Sequence, residues 1–242
     1  RGLGDVYKRQ DFFIFVFLYL IISAAVIIFW IYFSVIALIL FILMSVIHFG
    51  LCDWSYLGLK KYKWSVSLTH GLNIVFGIIF FHTNETFEIF TFLSNLSFNQ
   101  FQEYLYIVYI CYFFLLIRYA YLAIKFTRLR WGILEMSIIL LVIFLTEPLV
   151  AFSIYFCFIH TFKHVKSILK DTSKYLSNNK FITITTISFT ILTWVGGSLA
   201  IIYLHKSFSF DESFIKTLFI GLAALTLPHM TLVDIFYRRK FN

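Results

Sequence analysis

The sequence predicts an all-α protein, a polytopic integral membrane helical bundle with about eight transmembrane helices. Three observations predict it. The 242 residues are 61% hydrophobic, 21% aromatic and only 13% charged. Apolar runs of about twenty residues, the length of one bilayer crossing, recur from end to end. Two prolines and ten glycines leave little material for a loop-rich soluble fold. No stretch marks a separate soluble domain, so residues 11–242 read as one transmembrane helical domain. The net charge of +8 sits in short loops between spans, a topogenic placement that argues against nucleic acid as a partner. Cys52, Cys111 and Cys157 are far apart, with no C-x-x-C pair, so disulfide-scaffold, iron–sulfur and c-type haem readings lack support.

Residues 1–10, Arg-Gly-Leu-Gly-Asp-Val-Tyr-Lys-Arg-Gln, lack an initiator methionine and turn abruptly into hydrocarbon at Phe12. They read as vector or assembly sequence and are expected to be a non-native leader. From Phe12 to Leu51 almost no polar residue occurs. One helix that long would measure about 60 Å, twice a hydrocarbon core, so the stretch must cross twice, turning near Trp30–Ser34.

The third span is expected over Trp64–Phe81, and 83–103 as a longer polar loop. The fourth runs over Tyr104–Ile124, and a short fifth over Trp131–Leu145. Glu147-Pro148 marks a turn into the sixth, Leu149–Ile168. The seventh covers Phe181–Leu204 and the eighth Phe214–Tyr237. Lysine and arginine fill the loops near 60, 128 and 170 and the C-terminus; acidic residues dominate those near 90, 147 and 211. By the positive-inside rule the first set faces the cytoplasm. This places the chain in the cell (inner) membrane with its C-terminus cytoplasmic.

That orientation sorts the seven histidines. His48, His70, His160, His164 and His229 fall in the inner leaflet, on four helices. His82 and His205 fall on the other side, as interfacial residues. His160 and His164 stand about one helical turn apart, so both rings leave the same face. Polar rings inside a membrane need partners. A shared metal ion is one explanation, and hydrogen bonds to neighbouring helices are the other. Neutral imidazoles from packed helices suit iron, zinc, copper or nickel, and an all-histidine set with open positions suits an iron that must also bind oxygen.

Two carboxylates follow histidines by five residues: Asp53 after His48, and Asp234 after His229. Five residues is about 140° around an α-helix, so neither carboxylate shares its histidine's face. Each either orients a histidine from another helix or pairs with nearby lysine or arginine. His70 reads as a hydrogen-bonding residue between spans. Pro228 frees a backbone carbonyl and is expected to expose His229 to a cavity.

Taken together, S-V-I-H-F-G-x-x-D at 45–53, Y-F-C-F-I-H-x-x-x-H at 155–164 and F-I-G-L-A-A-L-T-L-P-H-M-x-L-x-D at 219–234 resemble the bacterial Brp/Blh family of β-carotene 15,15′-dioxygenases. The likeness runs in order from residue 12 onward. It implies an integral membrane enzyme that uses Fe(2+) and O2 to cleave β-carotene at its central double bond into two all-trans-retinal. Matched residue by residue, it implies His48, His160 and His164 as iron ligands. His229, His70, Asp53, Tyr155 and Asp234 are then pocket or supporting residues. A further family ligand lies in an upstream P-H-G-x-x-D motif, which this sequence lacks before His48. The chain is therefore expected to be an N-terminally truncated form, short of one span and one ligand.

Other classes remain open. A diiron desaturase or hydroxylase needs about eight clustered histidines, and this chain has seven, two on the wrong side. A carotenoid or retinal binder, or a transporter with a histidine proton relay, would use the same rings without oxygen chemistry.

Overall fold

A computed structural model describes residues 3–54, 60–94, 102–172 and 179–233. Among these, every regular element is helical, and seven helices are long and apolar enough to cross a membrane. The chain is a polytopic helical membrane protein. The apolar opening divides into α1 (Leu3–Tyr32) and α2 (Ser34–Asp53). The break is Phe33, whose N–H closes α1 on Phe29 O at 2.8 Å and whose carbonyl opens α2 by accepting from Ala37 N–H at 2.9 Å.

Next come α3 (Lys63–Phe81), α4 (Thr83–Ser94), α5 (Gln102–Lys125) and α6 (Thr127–Leu145). Two expectations change here. Much of the segment read as a polar loop is α4, which buries Phe87, Phe90 and Leu93 beneath exposed Glu85 and Glu88. The expected fifth crossing is α6, which is long enough but carries Arg128, Arg130 and Glu135. It is too polar to join the seven candidate spans.

Pro148 then starts α7 (Pro148–Ile154) at its first turn, where its missing N–H costs nothing. A π-helical turn, Tyr155–His160, joins it to α8 (Thr161–Thr172). The chain continues through α9 (Asn179–Leu204), α10 (Phe210–Pro228) and a second π turn, His229–Val233.

The helices form two compact units. One comprises Leu40–Thr91 and Leu96–Thr185. Its central helix is α3, which buries Val66, His70, Asn73, Ile74 and Ile78 along one face. α2 meets α3 through reciprocal glycines. A Cβ on Gly50 would stand 2.1 Å from Ser67 O, and one on Gly71 would stand 1.9 Å from Val46 O. The pairing 46 with 71 and 50 with 67 makes the helices antiparallel, with backbones in direct contact. α5 and α6 close the other side of α3. Tyr112 OH donates to Asn73 Oδ1 at 2.7 Å, and Asn73 Nδ2 donates to Met136 O at 3.4 Å.

The other unit comprises Arg1–Ile39, Phe92–Asn95 and Thr186–Asn242. Here α1 packs along α10. Pro228 has no N–H, so the Ala224 carbonyl one turn back loses its helical donor. Ser23 Oγ donates to that carbonyl at 2.8 Å, and Tyr19 OH to Leu225 O at 2.6 Å. The freed carbonyl thus becomes an interhelical tie. The last carbonyls of α4 are also satisfied: Lys216 Nζ donates to Phe92 O, Trp30 Nε1 to Leu93 O at 3.2 Å, and Ser34 Oγ to Ser94 O at 3.0 Å.

Candidate metal centre

The site is built where α2 ends beside the π turn. Asp53, the last residue of α2, is 1% exposed and accepts from two side chains. His160 Nδ1–H donates to its Oδ1 at 2.9 Å and lies 3.1 Å from Oδ2. The Tyr155 hydroxyl donates to Oδ2. Tyr155 and His160 are five residues apart and would diverge by about 140° on an α-helix. The π turn spanning them brings both to one carboxylate. Its register appears in the Thr161 N–H, which reaches back five residues to Phe156 O. π turns of this kind concentrate at functional sites.

Three imidazoles gather here. The His48 and His160 centroids are 5.1 Å apart, His160 and His164 5.8 Å with rings 9° from parallel, and His48 and His164 6.5 Å. His48 and His160 are buried and His164 half-buried. Phe49 packs edge-on against His160 at 5.0 Å and Tyr155 at 5.2 Å, and Phe156 stacks on His160 at 5.4 Å. With Nδ1 of His160 committed to Asp53, its Nε2 lone pair is the one left for a ligand. His48 Nδ1 lies 3.5 Å from Cys52 Sγ, one turn along α2.

The donor chemistry fits a divalent transition metal: neutral imidazoles backed by a buried carboxylate. Imidazoles sharing an ion at about 2 Å stand with centroids roughly 4.5–6.5 Å apart, and the three observed separations reach that span's upper edge. The nitrogens do not yet converge. Among the described residues no group of three His, Cys, Asp or Glu side chains is arranged to hold an ion as it stands.

His70 lies on α3, fully buried; its Nε2 pairs with Tyr119 OH at 3.0 Å, and Tyr119 OH donates to Leu129 O at 3.3 Å. His70 also stacks on Trp54 at 3.5 Å. Gly132 on α6 makes room for this pair, since a Cβ there would stand 2.0 Å from Tyr119 OH. His229 opens the second π turn, in the other compact unit. Asp234 lies outside the described residues. His82, read as interfacial, pairs its Nε2 with Ile143 O at 2.7 Å.

Sequence reasoning missed Lys163 and Glu135, which form an ion pair beside Asp53, and Cys52 as a neighbour of His48. The available signal was Glu135 itself, a carboxylate among the apolar residues midway along α6, which calls for a partner.

The fold and this cluster define a class: a multi-pass helical membrane protein with a histidine–carboxylate centre walled by aromatic rings. Within it, the chain belongs to the beta-carotene 15,15'-dioxygenase family, whose model matches residues 1–237. It is 28% identical over 221 residues to the beta-carotene 15,15'-dioxygenase of uncultured marine bacterium 66A03, covering 91% of this chain and 79% of that protein. No solved structure matches.

Proposed function

We propose that this protein cleaves β-carotene at the central 15,15′ double bond with O2, giving two all-trans-retinal, at an Fe(II) held by His48, His160 and His164. The family membership supports the carotene chemistry. The observation that carries the site assignment is the Asp53 carboxylate, which binds His160 Nδ1 and leaves its opposite nitrogen as a donor, beside two further imidazoles.

When bound, iron would supply the reaction with O2, whose two atoms end in the two aldehydes. The chain's own residues do the rest. Asp53 and Tyr155 hold His160 in one tautomer and one orientation. Phe49 and Phe156 pack on the His160 ring and give the histidines an apolar wall, suited to a polyene arriving from the bilayer. Burial of His48, Asp53 and His160 excludes water from the ligand side. The positive-inside rule applied to the lysine-rich loops supports a cytoplasmic C-terminus in the cell membrane.

The test is retinal formation in bacterial cells that accumulate β-carotene. The chain should yield retinal and its His160→Ala variant none. Retinal from His160→Ala at the parental level, with equal protein in the membrane, would defeat the assignment. The unconverged nitrogens favour one second reading, a carotenoid or retinal binder without oxygen chemistry. Pigment that co-purifies uncleaved, with no iron, would select it.

A further inference from the structure

The ion pair between Lys163 and Glu135 belongs to no ligand set, yet charges inside a membrane helix bundle are expensive and mark function by default. Lys163 lies between His160 and His164 on the chain. Its ammonium donates to Glu135 Oε1 on α6 and to the backbone oxygen of Asp53 at 3.3 Å, and it sits 4.4 Å over the Trp54 ring. That indole stacks on His70 at 3.5 Å.

All three contacts meet at one corner. α2 ends at Asp53, so the negative end of its dipole and the Asp53 carboxylate bring negative charge to the same place. A cation there offsets both, and the Lys163 ammonium caps the final carbonyl. Glu135 gives that ammonium a counter-charge where a lone cation would be costly. The Lys163 and Glu135 side chains are 29% and 26% exposed, so the pair is neither fully dry nor a free surface contact.

We propose that Lys163, held by Glu135, is a positioning residue for the metal centre: it fixes the Asp53–Trp54 corner so that the Asp53 carboxylate meets the His160 ring. It ties three helices to one point: α8 through its own backbone, α2 through Asp53 and α6 through Glu135. In its consequence for metal binding, the inference rests on the reading of His48, His160 and His164 as ligands.

The test uses the whole chain in detergent, metal-free and labelled with 15N at histidine. His160 is assigned by the signal lost in His160→Gln. In the parent, His160 should be a single Nδ1–H tautomer with a strongly hydrogen-bonded proton. Lys163→Met should turn it into a tautomer mixture, while Lys163→Arg should restore the parental signal. Unchanged His160 signals in a folded Lys163→Met variant would overturn the inference.

Exchange of the two charges, Glu135→Lys with Lys163→Glu, covers the case in which Lys163→Met fails to fold. It keeps the ion pair but sets a carboxylate against Asp53. The inference predicts that the exchange leaves His160 disordered. A parental His160 signal in the exchanged protein would show that pairing alone suffices and would overturn it. Fe(II) titration of the same proteins should show about a tenfold loss for Lys163→Met. A parent that takes up no iron would sink the metal reading, while the tautomer result still judges Lys163.

Discussion

Asp53 and His160 are 107 residues apart in sequence and joined by a 2.9 Å hydrogen bond from the imidazole Nδ1–H to the carboxylate. The bond ties the end of α2 to the end of the π turn and decides which His160 nitrogen is free. Asp53→Asn keeps the shape but weakens the acceptor and can present N–H to the ring instead. Metal affinity should fall about 10–100-fold, by titration of Fe(II) or a spectroscopic surrogate such as Co(II). Tyr155→Phe removes a donor to the same carboxylate and should cost less. An Asp53→Asn protein with parental affinity would remove the carboxylate from the site.

The glycine contact between α2 and α3 leaves no room for a methyl group. Gly71→Ala and Gly50→Ala each push Cβ into backbone, so no side-chain rotation relieves the clash. Each should destabilise by about 1–3 kcal/mol. Gly221→Ala is the control, since a Cβ there meets nothing within 4 Å. Thermal unfolding in detergent reads all three, and equal melting of Gly71→Ala and Gly221→Ala would refute the packing account.

Gly132→Ala should act on His70. Its Cβ would displace the Tyr119 hydroxyl and break the pair at 3.0 Å. Tyr119→Phe removes the same bond without adding volume. The two variants should perturb the His70 resonance alike, with the glycine variant less stable. A His70 signal unmoved by both would exclude the pair.

Ser23 answers a carbonyl that Pro228 orphans, so the two residues should couple. Ser23→Ala should cost about 0.6–1.7 kcal/mol in the parent, the range for hydrogen bonds between membrane helices. The cost should shrink in a Pro228→Ala background, where residue 228 regains its N–H. A double-mutant cycle on unfolding measures it, and an additive cycle would contradict the coupling.

Much of this was legible in the sequence. Long apolar runs demand spans, so α1, α2, α3, α5 and the last two long helices follow from length and hydropathy alone. The break at Phe33 lies where aromatics and a serine interrupt the hydrocarbon. α4 was hidden because alternating polar residues masked an apolar face only twelve residues long. α6 read as a span because its apolar tail outweighs Arg128, Arg130 and Glu135. The histidine pair stood out by its spacing. The Tyr155–Asp53–His160 triad did not, because five-residue spacing reads as divergent unless a π turn is known to be there. Lys163 was invisible because its partners, Glu135 and the Asp53 carbonyl, are distant in the chain.

The central claim is that His48, His160 and His164 hold one iron. The most direct measurement is iron bound per chain, loaded anaerobically, for the parent and for His48→Ala, His160→Ala and His164→Ala. The account predicts close to one iron in the parent and a large loss in each variant, with helicity unchanged. Parental iron content in a folded protein lacking all three imidazoles would contradict it.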